Sequence, residues 1–202
     1  MSSDTPISAQ QVKELRERTG APWADCKTAL QESKGDLAGA EVVLRKKGLA
    51  AAQKRAGRAT TEGLVGHYIH AGGKIGVLVE ITCESDFVAR TDEFGELVRN
   101  LAMQVAAAGA DYVRREEIPA ERIARERDIL VAQVEGQGKP AAILEKIIDG
   151  KLNKFFAEVC LLEQPYIRDD KKKVGDLVKE ASAKTGENVM VRRFSRFRLG
   201  QE

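Results

Sequence analysis

The side chains best suited to chemistry are few in this chain of 202 residues, and their spacing argues against catalysis. His67 and His70 lie three residues apart in a strand-like stretch, where they point to opposite faces and make poor joint metal ligands. The cysteines Cys26, Cys83 and Cys160 are widely separated, with neither zinc-site spacing nor the pattern of a disulfide framework. No Ser-His-acid or Cys-His arrangement is evident from spacing. We therefore expect no metal, no cofactor and no enzymatic activity.

A phosphate-binding loop of the GxxxxGK[ST] type is also missing. Gly73-Lys74 is followed by Ile75, and Gly138-Lys139 is followed by Pro140, where that loop needs Ser or Thr. Neither stretch can cradle a nucleotide in the way of that loop. We expect no direct nucleotide binding by this chain.

Amino-acid composition indicates which functions and which cellular compartment the chain suits. The chain has 33 basic and 31 acidic residues, so its net charge of +2 does not indicate a dedicated nucleic-acid binder. The odd number of scattered cysteines is typical of a reducing compartment. The N-terminus lacks a signal-peptide pattern, and no apolar run approaches the length of a membrane span. These features predict a soluble, cytoplasmic protein of one or two domains.

The run Ser85-Asp86-Phe87-Val88 combines an acid with an aromatic residue at a predicted strand-to-helix junction. In a short loop there, Phe87 could project outward as a wedge against a partner. Alternatively, Phe87 caps the core and Asp86 favours the start of the next helix through its negative charge. Local sequence leaves both interpretations open.

Three helices are predicted in residues 1–48. Ser8 and Gln11 have capping-box spacing, Gly20 suits a helix end, and Asp36 suits the cap of the third helix. Each helix is predicted to have one apolar face. The face comprises Val12 and Leu15 in the first helix, Trp23, Cys26 and Leu30 in the second, and Leu37, Ala40, Val43 and Leu44 in the third. Helices of this length predict a small bundle.

Residues 49–62 are rich in Ala, Lys, Arg and Gly and have no regular apolar face. They suit a linker, either a tether or a helical extension that frays, and Gly57 argues against a long helix. We therefore divide the chain into a module at 1–48, a linker at 49–62 and a core domain at 63–202.

The core domain is predicted to be α+β. Strands at 64–70 and 74–84 flank Ala71-Gly72-Gly73 as a β-hairpin, and the second strand alternates Ile75, Val77, Val79 and Ile81 on one face. The C-terminal segment after residue 187 returns to strand character. Helices are expected after Thr91, Pro119 and Pro140, with Gly150 ending the last of these, and again near 174–183. Helices are expected to pack against this small sheet of about three strands, so that one outer face or edge of the sheet needs a partner, which favours self-association.

Residues 12–30, VKELRERTGAPWADCKTAL, closely resemble the N-terminal ubiquitin-associated-like module of bacterial elongation factor Ts. The departures are Pro22-Trp23-Ala24 for the usual Gly-Met-Met, and Thr28 for Lys. The run at 85–88 resembles the family's TDFV motif in place, with Ser85 retaining the hydroxyl of Thr. The preceding segment KIGVLVEITCE, the stretch at 101–107, GKP at 138–140 and residues 150–165 also resemble family signatures.

The resemblance implies a guanine nucleotide exchange factor for elongation factor Tu. In the family, the TDFV loop enters between helices of the partner's GTP-binding domain. By this resemblance Asp86 and Phe87 push on the partner's switch helix and disturb its Mg²⁺ site, while Ser85 and Val88 hold the shape of the loop.

Further partner contacts are implied at four positions. Lys13, Arg16 and Trp23 align with the face of the first module that docks on the partner's nucleotide domain, and His70 resembles a hairpin histidine of the family. The alternatives are an ordinary solvated helix face, a core indole for Trp23 and a partly exposed strand histidine for His70.

The chain has room for a single core repeat, whereas longer members contain two repeats and an inserted coiled-coil hairpin. Short members of this kind pair as homodimers, so we expect a dimer joined through the core sheets.

Two other functions compete with exchange. Arginines alternate with Phe194 and Phe197 at 192–198, which could suit single-stranded RNA. The other interpretation of this run is a strand with apolar residues inside and Arg outside. A ubiquitin-associated-like adaptor that only recruits partners is also possible, but it leaves the run at 85–88 unexplained.

Overall fold

The computed structural model describes residues 7–135 and 140–200, and these form the predicted α+β fold. Its helices are α1 (Ala9–Thr19), α2 (Trp23–Glu32), α3 (Leu37–Arg55), α4 (Asp86–Ala89), α5 (Asp92–Ala108), α6 (Ala120–Val134), α7 (Ala141–Val159) and α8 (Val174–Thr185). Its strands are β1 (Glu62–Ile69), β2 (Ile75–Cys83), β3 (Pro165–Tyr166), β4 (Asp169–Lys173) and β5 (Met190–Arg198). The GKP stretch lies largely outside the described residues.

The first three helices form a bundle, and local signals set their ends. Ser8 and Gln11 make the reciprocal capping box, which satisfies backbone donors at the start of α1. Gly20 ends α1 with φ of 69°, and the Asp36 carboxylate accepts hydrogen bonds from two backbone amides at the start of α3. The buried core of the bundle comprises Val12, Leu15, Cys26, Ala29, Leu30, Ala40 and Leu44. Residues 1–6 of the predicted module lie outside the described part of the chain.

Helix α3 runs without a break past Gly48 to Arg55 and packs against α8. A Cβ atom built on Gly48 would lie 2.9 Å from the Cβ of Ala183, so glycine permits the close approach there. The guanidinium of Arg55 donates to the backbone oxygen of Ser182 at 3.1 Å. The predicted linker at 49–62 was either a tether or a helical extension. Up to Arg55 it is a helical extension of α3. The domain boundaries themselves stay a prediction.

The main sheet is antiparallel, with β2 between β1 and β5. Val77, Val79 and Ile81 alternate along β2 and are buried, as the sequence pattern predicts. Helix α5 covers this inner face and approaches β1 so closely that a Cβ on Gly66 would lie 2.1 Å from Val98 Cγ1. The absence of a side chain at Gly66 is therefore what lets the helix lie on the strand.

The hairpin turn and the start of α5 are also formed by the residues that the sequence pattern predicts there. Gly72 and Gly73 take positive φ values of 89° and 69° in the turn between β1 and β2. Thr91 caps α5 by accepting a hydrogen bond from the amide of Phe94, as predicted. The core cluster joins β2, α5, α8 and β5 into one unit.

The prediction that Gly150 ends a helix is wrong. Helix α7 continues through Gly150 to Val159 and packs against α6. Glycine inside a helix costs only about 1 kcal/mol relative to alanine. The apolar side chains of Ile148, Leu152 and Phe156 stay on one face on both sides of it, and their packing offsets that cost.

A second, two-stranded sheet of β3 and β4 was not predicted from the sequence. It is fixed by Gln104, whose side chain is fully buried on α5. The Gln104 amide group donates to Gln164 and to the backbone oxygen of Pro165, and its oxygen accepts from the Ile167 amide at 2.9 Å. A buried amide with all these partners ties the small sheet to the core.

Candidate partner-binding site

Residues 85–88, hereafter the wedge turn, begin a single helical turn directly after β2. Ser85 caps α4, its hydroxyl accepting a hydrogen bond from the Val88 amide at 3.4 Å. Val88 is 6% exposed and packs into the core, whereas Phe87 is 79% exposed. The alternative in which Phe87 caps the core is therefore wrong. The turn is anchored by Val88 and presents the aromatic ring of Phe87 to solvent.

Asp86 lies beside Phe87 on the exposed side of the same turn. Its carboxylate forms an ion pair with Arg90 at 2.9 Å, and both side chains are largely exposed. An exposed pair of this kind contributes between 0 and about 1 kcal/mol, so a partner can compete for either charge at little cost. Asp86 and Phe87 thus offer an acid and an apolar ring at one point of the surface.

The wedge turn is supported from behind by a residue that the sequence did not single out. The Glu187 carboxylate accepts hydrogen bonds from the amides of Glu84 and Ser85 at 3.1 Å and 3.0 Å, and from the Ser85 hydroxyl at 2.5 Å. No local signal could have identified Glu187, because it lies far from the turn in sequence. The predicted C-terminal strand directly after it was the available hint.

Cys83 also packs against the wedge turn. Its thiol donates to the backbone oxygen of Ser85 at 3.2 Å and is fully buried. Burial raises the pKa of the Cys83 thiol, and the nearby Glu187 carboxylate raises it further. The thiol is therefore protonated at neutral pH and acts as a neutral donor rather than as a nucleophile.

The predicted docking residues of the bundle are solvent-facing. Lys13 Nζ lies 3.8 Å from Glu17 Oε1 in a solvent-exposed ion pair, and Arg16 is exposed on the same helix. Trp23 is 44% exposed, whereas Cys26 and Leu30, predicted to share its face, are fully buried. Because Trp23 is the first residue of α2 and side chains tilt toward the helix N-terminus, its indole projects past the end of the bundle core. The core-indole alternative for Trp23 is therefore wrong.

His70 lies at the tip of the β1–β2 hairpin and is exposed. Its Nδ1 atom lies 3.1 Å from the hydroxyl of Tyr68. The two residues border a surface cavity of about 330 Å³ that Arg196 and Arg198 also line. This cavity therefore combines the positive charge of the two arginines with a largely apolar lining.

The structure brings the predicted residues into separate groups rather than one cluster. The wedge turn follows the C-terminal end of β2, and His70 precedes its N-terminal end. At about 3.4 Å per residue, the length of β2 separates these two points by roughly 25 Å. The end of the bundle helix α3 lies beside the wedge turn, since Arg58 pairs with Glu84 at 3.5 Å. A partner that contacts all these groups must span much of the molecule.

The outer face of the main sheet is uncovered among the described residues. Four large apolar side chains on it are exposed, namely Val65, Ile69, Leu78 and Phe197. The register puts them on one face because they lie at, or opposite, alternate positions of β2: Val65 is opposite Glu80, Ile69 and Phe197 are both opposite Gly76, and Leu78 lies between them.

The basic C-terminal strand does not form a stacking platform. Phe194 faces inward against the core and Phe197 faces outward, so the two rings lie on opposite faces of β5. Arg196 also turns inward and donates to the Ala106 backbone oxygen at 3.4 Å. Arg193 pairs with Glu80 at 2.6 Å. This alternation gives little support to the RNA-binding alternative, which needs aromatic rings and cations on one surface.

Residues 7–135 and 140–200 contain neither a metal-site cluster nor a helix suited to span a membrane. No group of three or more His, Cys, Asp or Glu side chains there has the arrangement of a metal site. None of the helices in the described part of the chain is long and apolar enough to cross a membrane.

Comparisons of this chain with a family model and with individual proteins all point to the same family. A family model described as "Elongation factor TS" matches residues 48–201. The chain is 61% identical over 195 residues to Elongation factor Ts of Anaeromyxobacter dehalogenans, covering 96% of this chain and 89% of that relative. It is 60% identical to Elongation factor Ts of Carboxydothermus hydrogenoformans and 58% identical to that of Geobacter sulfurreducens, in each case covering 96% of this chain and 90% of the relative.

Proposed function

The chain belongs to the elongation factor Ts family, and we propose that it promotes GDP release from elongation factor Tu by inserting its wedge turn beside that partner's Mg²⁺ and nucleotide site. As a family member it is an elongation factor of protein biosynthesis and a nucleotide exchange factor, not an enzyme that converts a substrate. Its place of action in this proposal is the cytoplasm, during translation elongation.

The observation that carries the proposal is the contrast within the wedge turn. Phe87 is 79% exposed on a turn whose next residue is buried. An aromatic ring held out in water by a rigid turn is suited to enter an apolar gap in a partner, because the turn loses little conformational entropy on binding. Asp86 beside it can act on polar groups at the edge of that gap.

Displacing Mg²⁺ is an effective way to release GDP, because the ion bridges protein oxygens and nucleotide phosphates. A nucleotide bound with nanomolar affinity is held by about 12 kcal/mol, and an exchange factor must offset much of this through contacts made with the nucleotide-free partner. By linkage, the nucleotide weakens binding of the factor by the same ratio. The factor therefore speeds exchange without choosing between GDP and GTP.

The bundle is proposed to act as a ubiquitin-associated-like docking module. Lys13, Arg16 and Trp23 would contact the partner's nucleotide domain, since all three are exposed and lie on α1 or at the start of α2. His70 would contact the same partner at a distant point, beyond the other end of β2. Contacts spread in this way hold the partner while the wedge turn acts.

We also propose that the protein forms a homodimer through the outer faces of its main sheets. A two-fold pairing would bury Val65, Ile69, Leu78 and Phe197 of each protomer against the same residues of the other. Burial of an exposed apolar face is favourable at about 25 cal/mol per Å². The two wedge turns stay outside this face, so each protomer could serve one partner molecule.

Release of a fluorescent GDP analogue from elongation factor Tu tests the proposal. The wild-type chain should accelerate release strongly, whereas Phe87→Ala and Asp86→Ala should each reduce the acceleration. The matched control is Ile129→Ala, since Ile129 is an exposed apolar residue on α6. Absence of acceleration by the wild-type chain with a cognate partner would contradict exchange activity. An adaptor would instead bind the partner equally well in all variants without accelerating release.

A further inference from the structure

The chain after α8 is shaped to reach the wedge turn. Gly186 ends α8 in the left-handed conformation, with φ of 75°, and this reverses the chain direction. Glu187 follows directly, and its carboxylate accepts hydrogen bonds from two successive amides, those of Glu84 and Ser85, and from the Ser85 hydroxyl. A single carboxylate therefore holds the backbone at the point where β2 becomes the wedge turn.

Asn188 extends the same connection in two directions. Its backbone amide donates to Glu84 Oε1 at 2.6 Å. Its side-chain amide donates to the backbone oxygen of Arg58 at 2.7 Å and to that of Ala56 at 3.4 Å, just past the end of α3. Asn188 is 3% exposed, so these bonds are shielded from competing water.

We propose that Glu187 is a positioning residue for nucleotide exchange, which acts on the partner only through the orientation that it gives to Phe87. With Asn188 it forms a clamp, defined here as residues 187–188, that joins the wedge turn to the end of the bundle helix. The inference rests on the proposed function, in which Phe87 enters the partner. The clamp ensures that a partner docked on the bundle meets the ring in one orientation.

The physical basis is the pairing of a charged acceptor with neighbouring donors. Hydrogen bonds to a carboxylate are about twice as strong as those between neutral groups. Without Glu187, the amides of Glu84 and Ser85 lose this shared acceptor, and the Ser85 hydroxyl loses the partner that orients it as the cap of α4. The wedge turn then samples several orientations, and only a fraction of molecules present Phe87 correctly.

Positioning is distinguished from docking by the kinetics of GDP release at increasing factor concentration. For Glu187→Ala, the release rate at saturation should fall by roughly fivefold to tenfold, while the half-saturating concentration changes less than twofold, because the docking contacts lie elsewhere. Glu187→Gln retains the side-chain shape and one acceptor, so its saturated rate should lie between wild type and Glu187→Ala. Glu158→Ala, at an exposed glutamate on α7, is the control and should match wild type.

The double variant Phe87→Ala/Glu187→Ala identifies the route of action. If Glu187 acts through Phe87, the double variant should release GDP no more slowly than Phe87→Ala alone. A further loss beyond Phe87→Ala would overturn the proposal, since it would mean that Glu187 affects exchange independently of the ring.

Amide hydrogen exchange in the free protein provides a readout that needs no partner. The Ser85 amide should be protected in the wild type and should exchange at least tenfold faster in Glu187→Ala, which lacks the acceptor, with protection of α5 unchanged. Unchanged protection at Ser85 would overturn the inference and leave the proposed function intact. If Phe87→Ala stimulates release as well as wild type does, the proposed function fails, and the positioning role fails with it.

Discussion

Phe87 and Val88 are neighbours in one helical turn, yet Phe87 is 79% exposed and Val88 is 6% exposed. Phe87→Ala should therefore change the free energy of unfolding by less than about 0.5 kcal/mol. Val88→Ala removes buried methyl groups and should reduce it by about 1–2 kcal/mol. Urea denaturation of both variants, followed by circular dichroism, measures the difference. A large loss of stability in Phe87→Ala would contradict the exposed position of its ring.

The outer face of the main sheet predicts the oligomeric state. A charge at the centre of an apolar interface is costly to desolvate, so Leu78→Asp should convert a dimer to a monomer. Val42→Asp, at an exposed position on α3, is the control and should leave the mass unchanged. Sedimentation velocity at micromolar concentration gives the masses. A wild-type protein that is monomeric in this range would exclude the proposed sheet-to-sheet dimer at those concentrations.

Two glycines in different surroundings should respond in opposite ways to alanine. At Gly66 the new Cβ would lie 2.1 Å from Val98 Cγ1, so Gly66→Ala should destabilise the fold by about 1–3 kcal/mol. At Gly150 the added Cβ would have no atom within 4 Å beyond its chain neighbours and the backbone of its own helix. Because the residue is inside α7, Gly150→Ala should stabilise the fold by about 0.5–1 kcal/mol. Thermal unfolding of the two variants checks both signs.

The close approach at Gly66 also predicts a rescue. Val98→Ala shortens the side chain that the new methyl group would strike, so the double variant Gly66→Ala/Val98→Ala should be more stable than the sum of the two single changes predicts. Simple additivity would show that the loss at Gly66 has another origin, such as strain in β1.

Stability should fall at alkaline pH because of Cys160. Burial raises the pKa of this thiol to about 11, with a smaller contribution from the Glu163 carboxylate and an opposing one from Arg115. The unfolded thiol, with its ordinary pKa near 9.0, releases its proton first. Between about pH 9 and 11 the folded state therefore binds more protons, and its stability falls by up to about 1.4 kcal/mol per pH unit from this group.

Below pH 9 this contribution should be constant, because the thiol is protonated in both states. Comparison of wild type with Cys160→Ala in urea isolates the effect, since other groups that titrate at high pH are common to both proteins. The stability advantage of wild type over the variant should shrink above pH 9. A difference that stays constant up to pH 11 would show that the folded thiol titrates normally.

The elements predicted correctly from the sequence are those whose causes are local. The caps at Ser8, Asp36 and Thr91 depend on residues within one helical turn, and the alternation of Val77 and Val79 follows from the two-residue period of a strand. The strand-to-helix junction that holds the wedge turn could also be predicted from the local sequence. These parts of the fold needed no knowledge of distant contacts.

The features that sequence reasoning missed depend on contacts across the fold. Phe87 faces solvent because its neighbour Val88 fills the space beneath the turn. The local sequence does not show which of the two side chains takes that space. Helix α7 passes Gly150 because it packs against α6 on both sides of that residue. The support by Glu187 joins positions 102 residues apart, where no periodicity or motif could link them. For Trp23, helical spacing was a poor guide because the residue lies at the first position of α2.

The strand order of the main sheet also has a consequence for synthesis on the ribosome. The hairpin partner β1 is available as soon as β2 emerges from the exit tunnel, but β5 is the last strand of the chain. Throughout translation of the intervening helices, β2 exposes an unpaired edge rich in valine and isoleucine, which is the kind of edge that recruits strands from other nascent chains. A ribosome that stalls before codon 190 would therefore leave a half-sheet with this edge of β2 unpaired.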